Sequence, residues 1–182
     1  MSWFTPQLID SNTKEDMAFN QATSKVVCVG RNYVAHAKEL NNPVPKSPLL
    51  FIKPNSTLCS LKNGIKLPKT DSSCHHELEV AILIGKALTN ASKDAASESI
   101  KGVGLALDLT LRELQSSLKS KGQPWERAKA FDGACPVSKF VDVEEDLKND
   151  AEIFLSNISF SLVKNEQLVQ VGTTKDMIFH NL

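Results

Sequence analysis

Residues 77–84 read Glu-Leu-Glu-Val-Ala-Ile-Leu-Ile, and this run decides the fold class. Its dense aliphatic content, closed by Gly85, predicts a strand. Strand side chains alternate between two faces, so Leu78, Val80, Ile82 and Ile84 share one wholly apolar face. Glu77 and Glu79 share the other, continued by Ala81 and Leu83. Two neighbouring acids in an apolar strand repel one another, and burying each costs several kcal/mol unless something offsets it.

A second apolar run, Gly102 to Leu111 (GVGLALDLTL), predicts a buried strand that leads into a helix over Arg112 to Lys121. Val103, Leu105, Leu107 and Leu109 share one face; Gly104, Ala106, Asp108 and Thr110 share the other. Asp108 is thus an isolated acid on a face kept open by small residues. Upstream, Lys25 to Val29 reads as a strand closed by Gly30, and Asn32 to Leu40 as a short helix. Asn41 to Pro48, with three prolines, is a loop before a strand at Leu49 to Lys53, which Pro54 ends. Downstream, 91–101 reads as a helix, Gly122 to Trp125 as a turn, and Phe131 to Val141 as strand and bend. Glu144 to Asp150 is a charged loop or short helix. Ile153 to Val163 alternates in the manner of a strand with one wet face. Asn165-Glu166 is a tight turn leading to a hairpin partner at Leu168 to Val171. The class is α+β and β-rich: a polar arm or edge element over 1–24, then one domain over 25–182 without repeats or linkers.

Lysine plus arginine and aspartate plus glutamate both total 21. Formal neutrality removes the electrostatic argument for nucleic acid or an anionic membrane. No apolar stretch is long enough to cross a bilayer. The start lacks a basic segment followed by an apolar run, so no signal peptide is expected and the location is expected to be cytoplasmic. Cys28, Cys59, Cys74 and Cys135 form no CxxC pair and read as reduced thiols.

Three carboxylates from two strands make a hard-oxygen set suited to Mg²⁺ or Mn²⁺. Spacing alone leaves a second reading equally open, in which Glu77 and Glu79 face solvent and Asp108 caps a helix. Cys74-His75-His76 suggests zinc, but adjacent strand residues point to opposite faces and no distant partner pair exists. One of these histidines is better read as a hydrogen-bond partner of a ligand.

The strings Val26-Val27-Cys28-Val29-Gly30-Arg31-Asn32-Tyr33, His75-His76-Glu77-Leu78-Glu79, Ala106-Leu107-Asp108-Leu109-Thr110 and Gly122-Gln123-Pro124-Trp125 occur in that order. Together they resemble the fumarylacetoacetate hydrolase family, in its small single-domain branch of acylpyruvase and oxaloacetate decarboxylase or tautomerase type. The resemblance implies a mixed β-roll with Glu77, Glu79 and Asp108 as Mg²⁺ or Mn²⁺ ligands. It implies a catalytic dyad of His36 and Glu39 on a lid helix, and Lys129 as a site lysine that neutralises an enolate or donates a proton. Arg112 and Gln115 would grip the substrate carboxylate and carbonyl, with Lys53 nearby as a further substrate-binding residue. The implied partner is a small 2-oxo acid, with a homodimer as the expected assembly. The leading expectation is hydrolysis of a C–C bond in an acylpyruvate-type 2,4-dioxo acid. Oxaloacetate decarboxylation or enol–keto tautomerisation at the same site is the alternative, and an inactive metal- or oxo-acid-binding member is the third.

Against the family pattern, the sequence stops at His180-Asn181-Leu182. Family members continue into closing strands and a Thr-Gly-Thr-Pro loop that contributes a hydroxyl to the substrate site. The fold is therefore expected to lack its last strands. Val171-Gly172-Thr173-Thr174 corresponds to an earlier hairpin.

Overall fold

A computed structural model describes residues 4–34 and 44–179, the side chains of 148–150 excepted. In chain order the described strands are β1 (Leu8–Ile9), β2 (Asp16–Met17), β3 (Lys25–Gly30), β4 (Leu49–Pro54), β5 (Leu58–Ser60) and β6 (Cys74–Ile84). Helix α1 (Lys93–Ser97) then precedes β7 (Ile100–Leu111), which runs directly into α2 (Arg112–Ser120). The short α3 (Glu126–Lys129) leads to β8 (Cys135–Val137) and β9 (Phe140–Asp142). Helix α4 (Glu144–Ser156) and the hairpin β10 (Ser159–Lys164) and β11 (Gln167–Thr173) follow. The architecture is α+β and β-rich. No described helix is long and apolar enough to cross a membrane.

Strand β7 is the axis of a seven-stranded mixed sheet. The path runs β2-β1-β9-β7-β8-β5, and β6 also pairs with β7. Twelve residues of β7 give it length enough to serve several partners. It is antiparallel to β8 through Ala106 and Val137, while β8 runs parallel to β5. The 1–24 segment supplies an edge: β1 pairs in parallel with β9, and β2 folds back on β1. Two further two-stranded sheets are β3–β4 and β10–β11.

The chain clusters into two compact units, one drawn from residues 1–27, 52–81 and 103–141, the other from 28–51, 82–102 and 142–182. In the first, Leu111, Leu118 and Ala128 form a buried cluster, with Cys74, Leu114, Trp125 and Phe131 packed around it. Leu114 and Leu118 stand one helical turn apart, so a single face of α2 meets α3 and the start of β6. The Lys119 ammonium lies 5.0 Å above the Trp125 ring, a cation–π contact at the same seam.

In the second unit, the start of α4 is tied to residue 101. Lys101 Nζ lies 2.7 Å from Asp142 and 2.8 Å from Glu144. Glu144, Glu145 and Asp146 sit in the first turn, where the helix dipole favours negative charge. This helix absorbs Ile153 to Ser156, so the strand expected over Ile153 to Val163 begins only at Ser159. The apolar alternation there was shared by two elements. The Asn157 amide closes the helix by donating to the Ile153 carbonyl at 2.6 Å. Likewise α1 spans only Lys93–Ser97, because Ile100 and Lys101 belong to β7.

The hairpin turn is as expected: Asn165 and Glu166 both have positive φ, 50° and 65°, the geometry of a type I′ connection. Gly172 faces Phe160 across the ladder, and a Cβ there would run into Cζ and Cε2 of the ring. The Phe160 ring packs edge-on to Tyr33 with centroids 6.5 Å apart, so it cannot retreat without losing that contact. Gly172→Ala is expected to destabilise the fold by about 1–3 kcal/mol, the usual cost of overpacking. Urea unfolding of the two chains measures it; an unchanged midpoint would contradict the packing described.

Candidate functional site

Each described site residue belongs to the first unit: Lys53 on β4, Glu77 and Glu79 on β6, Asp108 on β7, Arg112 and Gln115 on α2, and Lys129 ending α3. Pairing of β6 with β7 sets the acids on neighbouring strands. The direct run from β7 into α2 places Arg112 four residues beyond Asp108.

Lys129 joins the two strands. Its ammonium donates to Glu77 Oε2 at 3.1 Å and to Asp108 Oδ2, and the residue is 5 % exposed. Arg112 donates to Glu77 Oε1 and, at 2.9 Å, to Gln115 Oε1. Both Glu77 oxygens are therefore held by cations. Asp108 is held from both sides as well, since Lys53 Nζ stands 2.8 Å from Oδ1. The Glu79 side chain has no hydrogen-bond or ion-pair partner among the described residues. The alternative of a wet strand face with Asp108 as a helix cap does not describe this arrangement.

The electrostatics separate the two glutamates. Burial raises the Glu77 carboxyl, but Lys129 and Arg112 beside it overcome this and hold it below the ordinary value. Burial, and then the charges of Glu77 and Asp108, push the Glu79 carboxyl up to about 8, against the pull of Lys129. The charges of Glu77 and Asp108 thus crowd Glu79 enough to oppose its ionisation. As they stand, no three or more described His, Cys, Asp or Glu side chains are arranged to hold a metal ion. The donor set nevertheless fits a hard divalent cation in its chemistry: carboxyl oxygens only, and in Glu79 one that no neighbouring cation bonds directly.

Lys53 differs from the substrate contact implied by the family pattern. It is 0 % exposed. Besides Asp108, its ammonium reaches the backbone carbonyls of Lys129, of Ala134 at 3.0 Å and of Leu109 at 3.5 Å. An ammonium has three N–H donors, and these partners engage all of them. His36 and Glu39, the expected dyad, lie outside the described residues. The face of Gly104, Ala106, Asp108 and Thr110, expected to be open, is buried throughout. The small residue at 104 serves close packing, since a Cβ there would lie 3.0 Å from the Phe140 ring and 3.1 Å from the Lys139 carbonyl.

A further contact at the site's edge escaped the sequence reading. Glu113 accepts from the Ser72 hydroxyl at 2.7 Å, the Ser73 amide at 2.7 Å and the Ser73 hydroxyl at 2.6 Å. The Arg112 amide returns a bond to the Ser73 carbonyl at 3.1 Å. This clamp fastens the start of α2 to the residues leading into β6, and so fixes Arg112 relative to Glu77. The only signal in the sequence is a serine pair and a first-turn acid forty residues apart. The hydrogen bonds of Ser73 and then Ser72 hold the Glu113 carboxyl at about 2, against an ordinary 4.5. A value lowered by folding stabilises the fold above the ordinary value, and the contribution is lost as pH falls toward the lowered one. Glu113→Gln is expected to lower the melting temperature at pH 7, with the gap to the parent closing between pH 4.5 and about 2. Thermal melts across that range decide it; a gap independent of pH would contradict the clamp.

The family model described as fumarylacetoacetate (FAA) hydrolase C-terminal matches residues 25–182. The chain is 48 % identical over 155 residues to the oxaloacetate tautomerase YcgM of Escherichia coli (strain K12), covering 85 % of this chain and 68 % of that protein. It is 38 % identical over 162 residues to a mitochondrial oxaloacetate decarboxylase of Dictyostelium discoideum, covering 88 % and 72 %. Among solved structures, a protein of the fumarylacetoacetate isomerase/hydrolase kind from Oleispira antarctica superposes with a TM-score of 0.84 at 52 % identity, over 94 % of this chain and 73 % of that one. Fumarylpyruvate hydrolase from Pseudomonas aeruginosa, in complex with Mn²⁺ and pyruvate, gives 0.77 at 26 % identity, over 98 % and 75 %.

Proposed function

The chain belongs to the fumarylacetoacetate hydrolase family, and from that premise we propose that it interconverts the enol and keto forms of oxaloacetate at the cluster of Glu77, Glu79, Asp108 and Lys129. The observation that carries the reading is the bridge from Lys129 to Glu77 and Asp108, which gathers acids from two strands around one proton-bearing group. The acylpyruvate hydrolase expectation yields to the tautomerase alternative. Hydrolysis of a pyruvate-type substrate is named for a relative at 26 % identity, whereas tautomerase and decarboxylase names belong to relatives at 48 % and 38 %. Decarboxylation of oxaloacetate, which passes through the same enolate, is the second reading.

In this reading Glu77, Glu79 and Asp108 would hold Mg²⁺ or Mn²⁺. When bound, such an ion supplies Lewis-acid stabilisation of the enolate. Arg112, steadied by Gln115 and Glu77, presents a planar guanidinium to a substrate carboxylate. Lys129, at the end of α3 and against Glu77 and Asp108, is the group placed to carry a proton to and from substrate at Nζ. Tautomerisation removes one proton from the enol oxygen and adds one to the neighbouring carbon, so a single amine that gives and takes a proton balances the reaction. His36 and Glu39 are proposed, on the family pattern alone, as an assisting dyad.

The test follows the loss of the oxaloacetate enol absorbance with Mg²⁺ or Mn²⁺, then with excess chelator, beside pyruvate release from acetylpyruvate. The expected result is metal-stimulated enol loss that the chelator stops. Enol loss at the same rate in chelator would refute the proposal, and faster turnover of acetylpyruvate would return the hydrolase reading.

A further inference from the structure

We infer that Lys53 is a positioning residue for this site, acting through Asp108 and the backbone of Lys129 without touching substrate; the inference rests on the functional reading above. The side chain is wholly buried, and one ammonium meets four groups drawn from three pieces of the fold. It lies 2.8 Å from Asp108 Oδ1, and it donates to the carbonyls of Lys129, Ala134 and Leu109. Those carbonyls belong to the end of α3, the approach to β8, and the β7 residue next to Asp108.

Two consequences follow from this geometry. First, Lys53 on Oδ1 and Lys129 on Oδ2 hold the Asp108 carboxylate from opposite sides and set the plane in which it offers its remaining lone pairs. Second, α3 has only four residues, far below the length at which a helix holds itself. Its last residue is the one whose carbonyl Lys53 takes, so the direction in which Lys129 projects is fixed from below by another lysine. Lys53 thereby controls both ends of the Lys129–Asp108 contact. Charge-assisted bonds to the three carbonyls are the strong kind, and a compact ammonium can make them while standing 2.8 Å from Asp108 Oδ1 as an ion pair.

Lys53→Met keeps the aliphatic stem and removes the ammonium. With native circular dichroism, it is expected to lower kcat for oxaloacetate about 10²-fold, the loss typical of a catalytic group displaced by about 1 Å. KM is expected to stay within about threefold, because substrate does not touch Lys53. Lys129, 5 % exposed, is expected to resist acetic anhydride in the parent and to become acylated in the variant, as read by peptide mass spectrometry. A folded variant with parent-like kcat and a protected Lys129 overturns the inference, as does a loss confined to KM. Should Lys53→Met lose its native spectrum, Lys53→Arg carries the same readouts. That variant keeps the charge in a planar fork that cannot reproduce the carbonyl contacts, so lowered kcat with a native spectrum supports the inference and parent-like kcat overturns it. Loss of the fold in both variants overturns it in favour of a purely structural lysine. A parent chain that neither binds Mn²⁺ nor turns over oxaloacetate fails the functional reading instead, and the acylation of Lys129 still decides the role of Lys53.

Discussion

Asp108→Ala is expected to abolish metal-stimulated turnover of oxaloacetate, with a fall in kcat of about 10³-fold or more. Asp108 is the acid on β7, and both its oxygens face buried ammonium groups, Lys53 and Lys129. Removing it takes a candidate oxygen donor from the cluster and leaves two buried cations without their shared counter-ion. Breaking a buried pair from one side costs roughly 3–5 kcal/mol, so the alanine variant is also expected to melt earlier. Asp108→Asn separates the two effects. It keeps the shape and one oxygen, so it should melt closer to the parent while losing turnover and Mn²⁺ affinity together. Steady-state rates, titration calorimetry with Mn²⁺ and thermal melts make the comparison. Full turnover by a folded alanine variant at ordinary metal concentration would refute the assignment of Asp108.

Lys129→Met is expected to lower kcat by about 10²–10⁴-fold, the range supplied by a positioned proton donor or acceptor. Its effect on metal binding should have the opposite sign. The ammonium lies beside Glu77 and Asp108, where it repels a second cation, so the methionine variant should bind Mn²⁺ at least as tightly as the parent. Lys129→Arg should not restore the rate, because a guanidinium stays protonated through the cycle. Stopped-flow decay of the enol and Mn²⁺ calorimetry on the same preparations test both statements. A kcat within threefold of the parent would remove Lys129 from the chemistry.

The strands that build the site were legible in the sequence because they are dense in aliphatic residues and closed by punctuation. Gly85 ends β6, and Arg112 opens the helix after β7. The placement of Glu77 and Glu79 on one strand follows from a period of two. That Asp108 stands beside them does not, since strand pairing is a long-range choice and spacing left a solvent-facing alternative open. The family pattern resolved the choice of residues, but it did not reveal what holds them. Lys53 reads as one more basic residue before a proline; its complete burial depends on carbonyls at 109, 129 and 134, which no local window contains. The error over Ile153 to Val163 has a similar origin. Ile153 and Leu155 belong to a helix whose acidic first turn, Glu144 to Asp146, was read as a separate solvated stretch. On β6 the same rule held only in part: Leu78 is buried as expected, yet Leu83, on the face of the acids, is also buried while Ile84 is 44 % exposed. An eleven-residue strand changes neighbours along its length, and alternation reports parity without saying what lies opposite.

The fork of Arg112 between Gln115 and Glu77 makes the guanidinium a shared resource. An anion that draws Arg112 toward itself loosens its grip on Glu77 and returns negative charge to that carboxylate, where a divalent cation would gain by it. Thermodynamic linkage then runs both ways: each guest would strengthen the hold on the other by the same factor, so that loss of either would loosen the one that stays.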